Sequence, residues 1–112
     1  MRKRRCEMSD RFNLYGFRGD DIDEVERLIS DTLEVEFTSK ESSFKGGEYF
    51  SHRGSGRFEI TIETNFTDDE GILSMPEFPL YSTLIFVSYV NSEVERRLDA
   101  QGEIDLLRSE VI

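Results

Sequence analysis

Few side chains in the sequence are of the types that catalyse reactions, and their spacing suggests no joint site. His52 is the only histidine, and it lies between Ser51 and Arg53. Nucleophilic catalysis by serine needs an imidazole within hydrogen-bond reach of the hydroxyl and a carboxylate behind that imidazole. The positions of the 24 acidic residues suggest neither this set nor a pair of carboxylates for acid–base catalysis. We interpret His52 as a surface histidine on a strand, and we expect a protein that is not an enzyme.

Metal and cofactor sites have equally little support. Cys6 is the only cysteine, which excludes an internal disulfide and a zinc cluster built on cysteines. The acidic run at residues 68–70 offers carboxylates for Ca²⁺ or Mg²⁺, but it lacks the Asp-x-Asp-x-Asp-Gly spacing of a calcium loop. The glycines at 46–47 and 54–56 lack the Lys-Ser/Thr that follows the glycines of a phosphate loop. We therefore expect no metal and no cofactor.

The charge of the chain narrows the class of partner. Residues 1–7 carry four positive charges and one negative, so residues 8–112 carry −13 against −10 for the whole chain. An acidic domain repels phosphate backbones, which disfavours direct binding of nucleic acid. The excess of acids either serves solubility or complements a basic partner.

The composition describes one globular domain of 112 residues, with 37% hydrophobic residues and enough aromatic side chains to fill a core. No apolar run approaches the ~20 residues that span a bilayer, so we expect no membrane association. A single cysteine fits a reducing cytoplasm. We predict one α+β domain over residues 10–112. Residues 1–9 are expected to form a disordered basic extension. Alternatively, the true start is Met8, and residues 1–7 lie upstream of it.

The most apolar stretch, residues 80–90, is predicted to be the central strand of a sheet. Residues 84–87 are four consecutive apolar residues of β-branched, aromatic and aliphatic types, a pattern typical of a strand buried on both faces. On this basis Phe86→Asp is expected to abolish folding.

The other elements follow from periodicity and caps. Strands are predicted at residues 12–17, 33–38, 48–52, 58–66 and 104–112, and helices at 21–32 and 92–101. Capping boxes are expected at Asp21 with Glu24 and at Ser92 with Glu95. The order β-α-β-β-β-β-α-β predicts a largely antiparallel sheet with two helices on one face, a ferredoxin-like arrangement with an added hairpin.

Two predicted strands place acids opposite their apolar residues. Glu34 and Glu36 alternate with core residues on the second strand, as Glu59 and Glu63 do on the fourth. All four glutamates are therefore expected on the open face of the sheet, where water or a partner offsets their repulsion. The loop at 67–79 is long for a compact domain, and such loops are often functional.

Three stretches resemble a known class of proteins. They are residues 11–16 (RFNLYG) with the acidic helix start that follows, residues 43–50 (SFKGGEYF), and the loop at 76–79 that enters the apolar strand leading to the second helix. Together they resemble the small bacterial immunity proteins of polymorphic toxins, including those of contact-dependent growth inhibition. The resemblance implies a cytoplasmic protein that binds a cognate toxin domain and blocks it. Many such toxins are basic nucleases, which would suit the acidic chain.

The acidic surface suggests where this partner would be held. The long loop mixes acids with apolar residues and can adapt to a partner, and strand acids with an aromatic anchor would complete the contact. The expected contacts are Glu48, Tyr49, Glu59, Glu63, Asp68, Asp69, Glu70 and Glu77.

Two other classes remain open. A ferredoxin-like regulatory module would bind an amino acid or similar small ligand at a dimer edge. Gly16 and Gly19 are a faint version of the glycine-rich turn that such a module would need. The chain could also be a structural subunit of a larger assembly. The sequence leaves the oligomeric state open.

Overall fold

A computed structural model describes residues 10–111, so the extension predicted over residues 1–9 lies outside the described residues. The chain forms six strands and two helices, with four consecutive strands between the helices. They are β1 (Arg11–Phe17), α1 (Ile22–Leu33), β2 (Thr38–Ser42), β3 (Gly47–Arg53), β4 (Glu59–Thr64), β5 (Thr83–Ser88), α2 (Ser92–Ala100) and β6 (Asp105–Val111). A short 3₁₀ turn (Ser43–Lys45) joins β2 to β3.

The six strands form one sheet in the order β2-β3-β4-β5-β1-β6, and every neighbouring pair is antiparallel. The predicted α+β class, with a largely antiparallel sheet and two helices, is confirmed. No helix among residues 10–111 is both long and apolar enough to cross a membrane.

Both helices pack on the same side of the sheet, here called the helix side. Val25, Ile29 and Leu33 recur every four residues along α1 and are buried, and α2 contributes the buried Leu98. These side chains join strand residues in a single core. The strand residues of the core include Tyr15, Phe17, Phe50, Ile60, Ile62, Ile85 and Val87. The opposite side of the sheet is here called the open side.

The helices begin at side-chain caps. The carboxylate of Asp21 accepts hydrogen bonds from the backbone N–H groups of Asp23 and Glu24, as predicted. The second cap is Asn91, one residue before the predicted Ser92, and its side chain accepts from the N–H of Val94. The N-cap therefore lies one residue before the predicted position, and the predicted capping box of Ser92 with Glu95 is wrong, because the third residue after the cap is Val94.

The strand predicted over residues 33–38 is wrong. Leu33 ends α1, and Glu34 adopts the left-handed conformation at φ 59° while its N–H donates to the carbonyl of Ser30. Strand β2 begins only at Thr38 and consists of exposed polar residues. The apolar alternation of Leu33, Val35 and Phe37 reflects packing of the helix end and its connection against the core.

Strand β5 lies between β4 and β1, which confirms the central position predicted for residues 84–87. Ile85 and Val87 face the helix side and are fully buried, whereas Phe86 faces the open side and is half-buried. Leu84 is also on the open side, yet only 1% of it is exposed. We therefore expect the loss of folding from Ile85→Asp and not, as the sequence suggested, from Phe86→Asp.

Candidate partner-binding surface

A depression of about 400 Å³ opens on the open side of the sheet, between β2 and β5. The strand register explains it. Ser51 of β3 pairs with Thr38 of β2 and with Thr61 of β4, so three small side chains form a row across the sheet. The rows on either side hold larger residues, with Tyr49 on one flank and Glu59 on the other. Small residues between large ones leave a trough with a hydroxyl-rich floor.

Glu63 forms one wall of the depression and is held in place. Its carboxylate accepts hydrogen bonds from Lys45 Nζ at 3.0 Å and from the Thr61 hydroxyl at 3.0 Å. The Lys45 ammonium also lies 5.3 Å from the centre of the Tyr49 ring. The 3₁₀ turn positions Lys45, since the Ser42 hydroxyl caps the turn and Gly46 closes it at φ 79°.

Glu59 forms the opposite wall and is less well paired. Among residues 10–111, the only cation within 4.0 Å of its carboxylate is the Arg53 guanidinium, whose Nε lies at 4.0 Å, and Arg53 is itself largely exposed. At this distance and exposure an ion pair contributes little. Phe86 and Ser88 of β5 close the end of the depression.

The long loop, residues 65–82, covers the other half of the open side. A second, smaller depression of about 110 Å³ is lined by Met75 of the loop together with Phe12, Leu14 and Phe86. Asn65 ties the loop together. Its side-chain Nδ2 lies 3.1–3.3 Å from the carbonyl oxygens of residues 75, 78 and 81, while its Oδ1 accepts from the hydroxyl of Ser74 and the N–H of Met75.

The predicted contact residues divide into separate groups. Tyr49, Glu59 and Glu63 line the depression together. Glu48 is exposed and bonded to Ser39, which pairs with Phe50, so Glu48 lies on the helix side of the same strand. Glu77 is exposed and lies 3.5 Å from Arg108 of β6, at the far end of the sheet.

The three consecutive acids of the loop, residues 68–70, have different roles. Asp68 is structural, since its carboxylate accepts hydrogen bonds from the N–H groups of Glu70 and Ile72 and so closes a turn. Gly71 completes the turn at φ 80°. Asp69 and Glu70 are exposed at its tip and remain accessible to a partner.

The four glutamates expected on the open face are only partly there. Glu59 and Glu63 lie on the open side as predicted. Glu34 is the C-cap of α1, and Glu36 lies in the connection before β2, because the predicted second strand does not form.

His52 is packed rather than free at the surface. It lies on the helix side of β3, 6.0 Å from the ring of Phe37 and 6.1 Å from that of Phe58. Its Nδ1 lies 2.9 Å from the carbonyl oxygen of Glu36 and donates to it. Because Ser51 and His52 alternate along the strand, their side chains point to opposite sides of the sheet, and no serine–histidine pair forms.

A buried polar network joins β1 to α2. Asn13 donates to the Glu95 carboxylate at 2.9 Å and to the Tyr15 hydroxyl at 3.2 Å, and Tyr15 donates to Asp99 at 2.9 Å. Burial raises the pKa of the Tyr15 hydroxyl well above its ordinary value, so the hydroxyl stays protonated. The network fixes α2 against the sheet, and its polar groups are bonded to one another.

Sequence reasoning missed several residues of this surface. Ser51, Thr61, Lys40 and Lys45 line the depression, and Phe44 on the 3₁₀ turn is a 92% exposed aromatic. The only sequence pattern that could have indicated the depression was the alternation of small polar residues along β3 and β4. Among residues 10–111, no group of three or more His, Cys, Asp or Glu side chains is arranged to hold a metal ion.

Comparison with models of known protein families, with curated proteins and with solved structures gives no match.

Proposed function

We propose that this protein is an immunity protein, which binds a basic toxin domain through its acidic surface and neutralises it without catalysis. The observation that carries the proposal is the charge of −13 over residues 8–112, together with carboxylates in an open depression of the sheet. A nuclease toxin binds phosphates with lysine and arginine side chains, and carboxylates on a complementary surface can occupy those positions. The proposed setting is the bacterial cytoplasm, where such a toxin would act.

The strand order supports a ferredoxin-like description of the fold. Without the edge hairpin of β2 and β3, the chain runs β1-α1-β4-β5-α2-β6 and the sheet reads β6-β1-β5-β4. This is the 4-1-3-2 order of the split β-α-β arrangement. We propose that the hairpin is an addition to that fold, and it supplies one half of the depression.

The second candidate is a module that binds a small ligand. A depression of about 400 Å³ lies within the size range of small-molecule sites. Its lining is more polar than such sites usually are, and it carries both lysines and glutamates. The net negative charge of the chain would have no role in binding such a ligand.

Neutralisation is tested by expressing the toxin-like domain encoded beside this protein in cells with and without the protein. We expect growth arrest in its absence and growth in its presence. Association of the two purified proteins should slow roughly tenfold or more between 50 and 500 mM salt, because salt screens charge steering. Survival of cells without this protein would contradict immunity. An association rate indifferent to salt would contradict the acidic surface as its means.

The loop tip offers a test of local contact. Asp69→Lys with Glu70→Lys should weaken binding of that toxin domain by at least ~1 kcal/mol, provided the tip meets a basic surface. Asp68 stays unchanged, because it closes the turn. The control is Asp31→Lys with Glu41→Lys, which changes the net charge equally at exposed sites on α1 and β2. Equal weakening by both double variants, measured by titration calorimetry, would show that only the overall charge matters.

A further inference from the structure

The hydroxyl of Ser51 is buried without a bonding partner. Only 5% of this residue is exposed, and within residues 10–111 its side chain makes no hydrogen bond. Nearly all buried hydroxyls in proteins are bonded, either to protein groups or to water. Ser51 lines the floor of the depression, so a group that enters the depression can supply the missing bond.

The charges around Ser51 indicate which kind of group this is. Lys45 and Glu63 satisfy each other at 3.0 Å. Lys40 also lines the depression, but it lies beside Tyr49 on the flank of Glu63. On the opposite flank, the only cation among residues 10–111 within 4.0 Å of the Glu59 carboxylate is the exposed Arg53, at 4.0 Å. Glu59 therefore keeps an accessible negative charge on one wall. A guest that carries a positive charge and several N–H donors can bond to this carboxylate and to the hydroxyl on the floor.

Shape favours a long, narrow guest. The floor of small side chains runs across the strands from Ser51 through Thr61 to the ring of Phe86. Tyr49 on one flank and Phe86 at the end of the depression offer apolar surface to an aliphatic stem. The guanidinium of arginine has five donors in a fixed fork and bonds to carboxylates at two points, which a lysine ammonium cannot do.

We propose that the depression is the binding site for one arginine side chain of the partner protein, with Glu59 and Ser51 as its polar contacts. The inference rests on the proposed function, because a basic partner supplies the arginine. Charge complementarity with an acidic chain supports this occupant over an anionic or uncharged one.

The site can be tested without the partner. N-acetyl-arginine amide, which carries the guanidinium without backbone charges, is titrated into the full chain and followed by amide chemical shifts. We expect saturable shifts at Ser51, Glu59 and Thr61 with a Kd on the order of millimolar, as suits so small a ligand. N-acetyl-citrulline amide has the same shape without the charge and should shift these amides little. Equal shifts with both probes, or none with either, would overturn the proposal.

Variants separate binding from structure. Glu59→Gln should weaken the arginine probe roughly fivefold or more, whereas Glu48→Gln, the same change on the helix side of the neighbouring strand β3, should not. Ser51→Ala should weaken the probe while leaving the melting temperature nearly unchanged, because no hydrogen bond to another residue among residues 10–111 is lost. A lower melting temperature with unchanged probe binding would assign Ser51 a structural role and overturn the inference.

The inference and the proposed function can fail separately. Neutralisation of the neighbouring toxin domain that Glu59→Gln leaves unchanged would refute the arginine site and keep immunity. Saturable binding of the arginine probe by a protein that does not protect cells would refute immunity and keep the site. Binding of free serine or glutamate at these amides, with no response to the arginine probe, would favour a small-ligand module instead.

Discussion

Replacing Ile85 with aspartate is expected to abolish the cooperative unfolding transition of this protein. Ile85 is fully buried in the central strand, between Tyr15 of β1 and Ile62 of β4, on the side covered by the helices. An introduced carboxylate would find no cation there. The lost apolar burial and the desolvated charge together cost roughly 5 kcal/mol or more, which is comparable to the whole stability of a small domain.

The neighbouring residue provides the control. Phe86→Asp introduces the same charge one position along β5, but the side chain faces the open side and is half-buried at the edge of the depression. We expect a loss of about 1–3 kcal/mol and a preserved transition. Thermal unfolding followed by circular dichroism distinguishes the two. A cooperative melt of the Ile85 variant near that of the unchanged protein would mean that the core is misplaced.

The sequence predicted those parts of the fold that depend on local pattern. The run at residues 84–87 has no period-2 alternation because the helices cover one face of β5 and the long loop covers part of the other. Leu84 is buried although it lies on the open side. The apolar alternation over residues 33–38 predicted a strand that does not form. Apolar residues at the end of a helix and in its connection pack on the core without any strand.

The candidate site was predictable only in part, because it depends on register between strands. Alternation along β4 placed Glu59 and Glu63 on the open side. The depression, however, requires Ser51 to lie directly beside Thr61, and this pairing is fixed by the hairpin that joins β3 to β4. Lys45 reaches Glu63 from a 3₁₀ turn 18 residues earlier. Local sequence patterns predict neither the pairing of Ser51 with Thr61 nor the contact of Lys45 with Glu63.

Asn65 holds the long loop, and we expect Asn65→Asp to release it at a cost of about 3 kcal/mol or more. The residue is 7% exposed, and its amide nitrogen lies against three carbonyl oxygens. A carboxylate of nearly the same shape would face those oxygens without a proton to donate. An unsatisfied charge in a buried site costs more than the loss of a neutral hydrogen bond.

The pH dependence of this variant follows from the same contacts. Repulsion by the carbonyl oxygens would raise the pKa of the introduced carboxyl above its value in the unfolded chain, about 3.9. The destabilisation is therefore largest near neutral pH and shrinks as the pH falls through the folded-state pKa, since the protonated group can again donate one hydrogen bond.

Asn91→Asp is the matched control, because Asn91 caps α2 through its side-chain oxygen and aspartate caps helices equally well. Urea unfolding should show a loss of stability for the Asn65 variant alone. Limited proteolysis with a glutamate-specific protease should then cut the Asn65 variant faster at Glu70 and Glu77, the two glutamates within the loop. Equal stability and equal cleavage of both variants would show that the loop is held by its apolar contacts with the open side, and that the side-chain hydrogen bonds of Asn65 only accompany them.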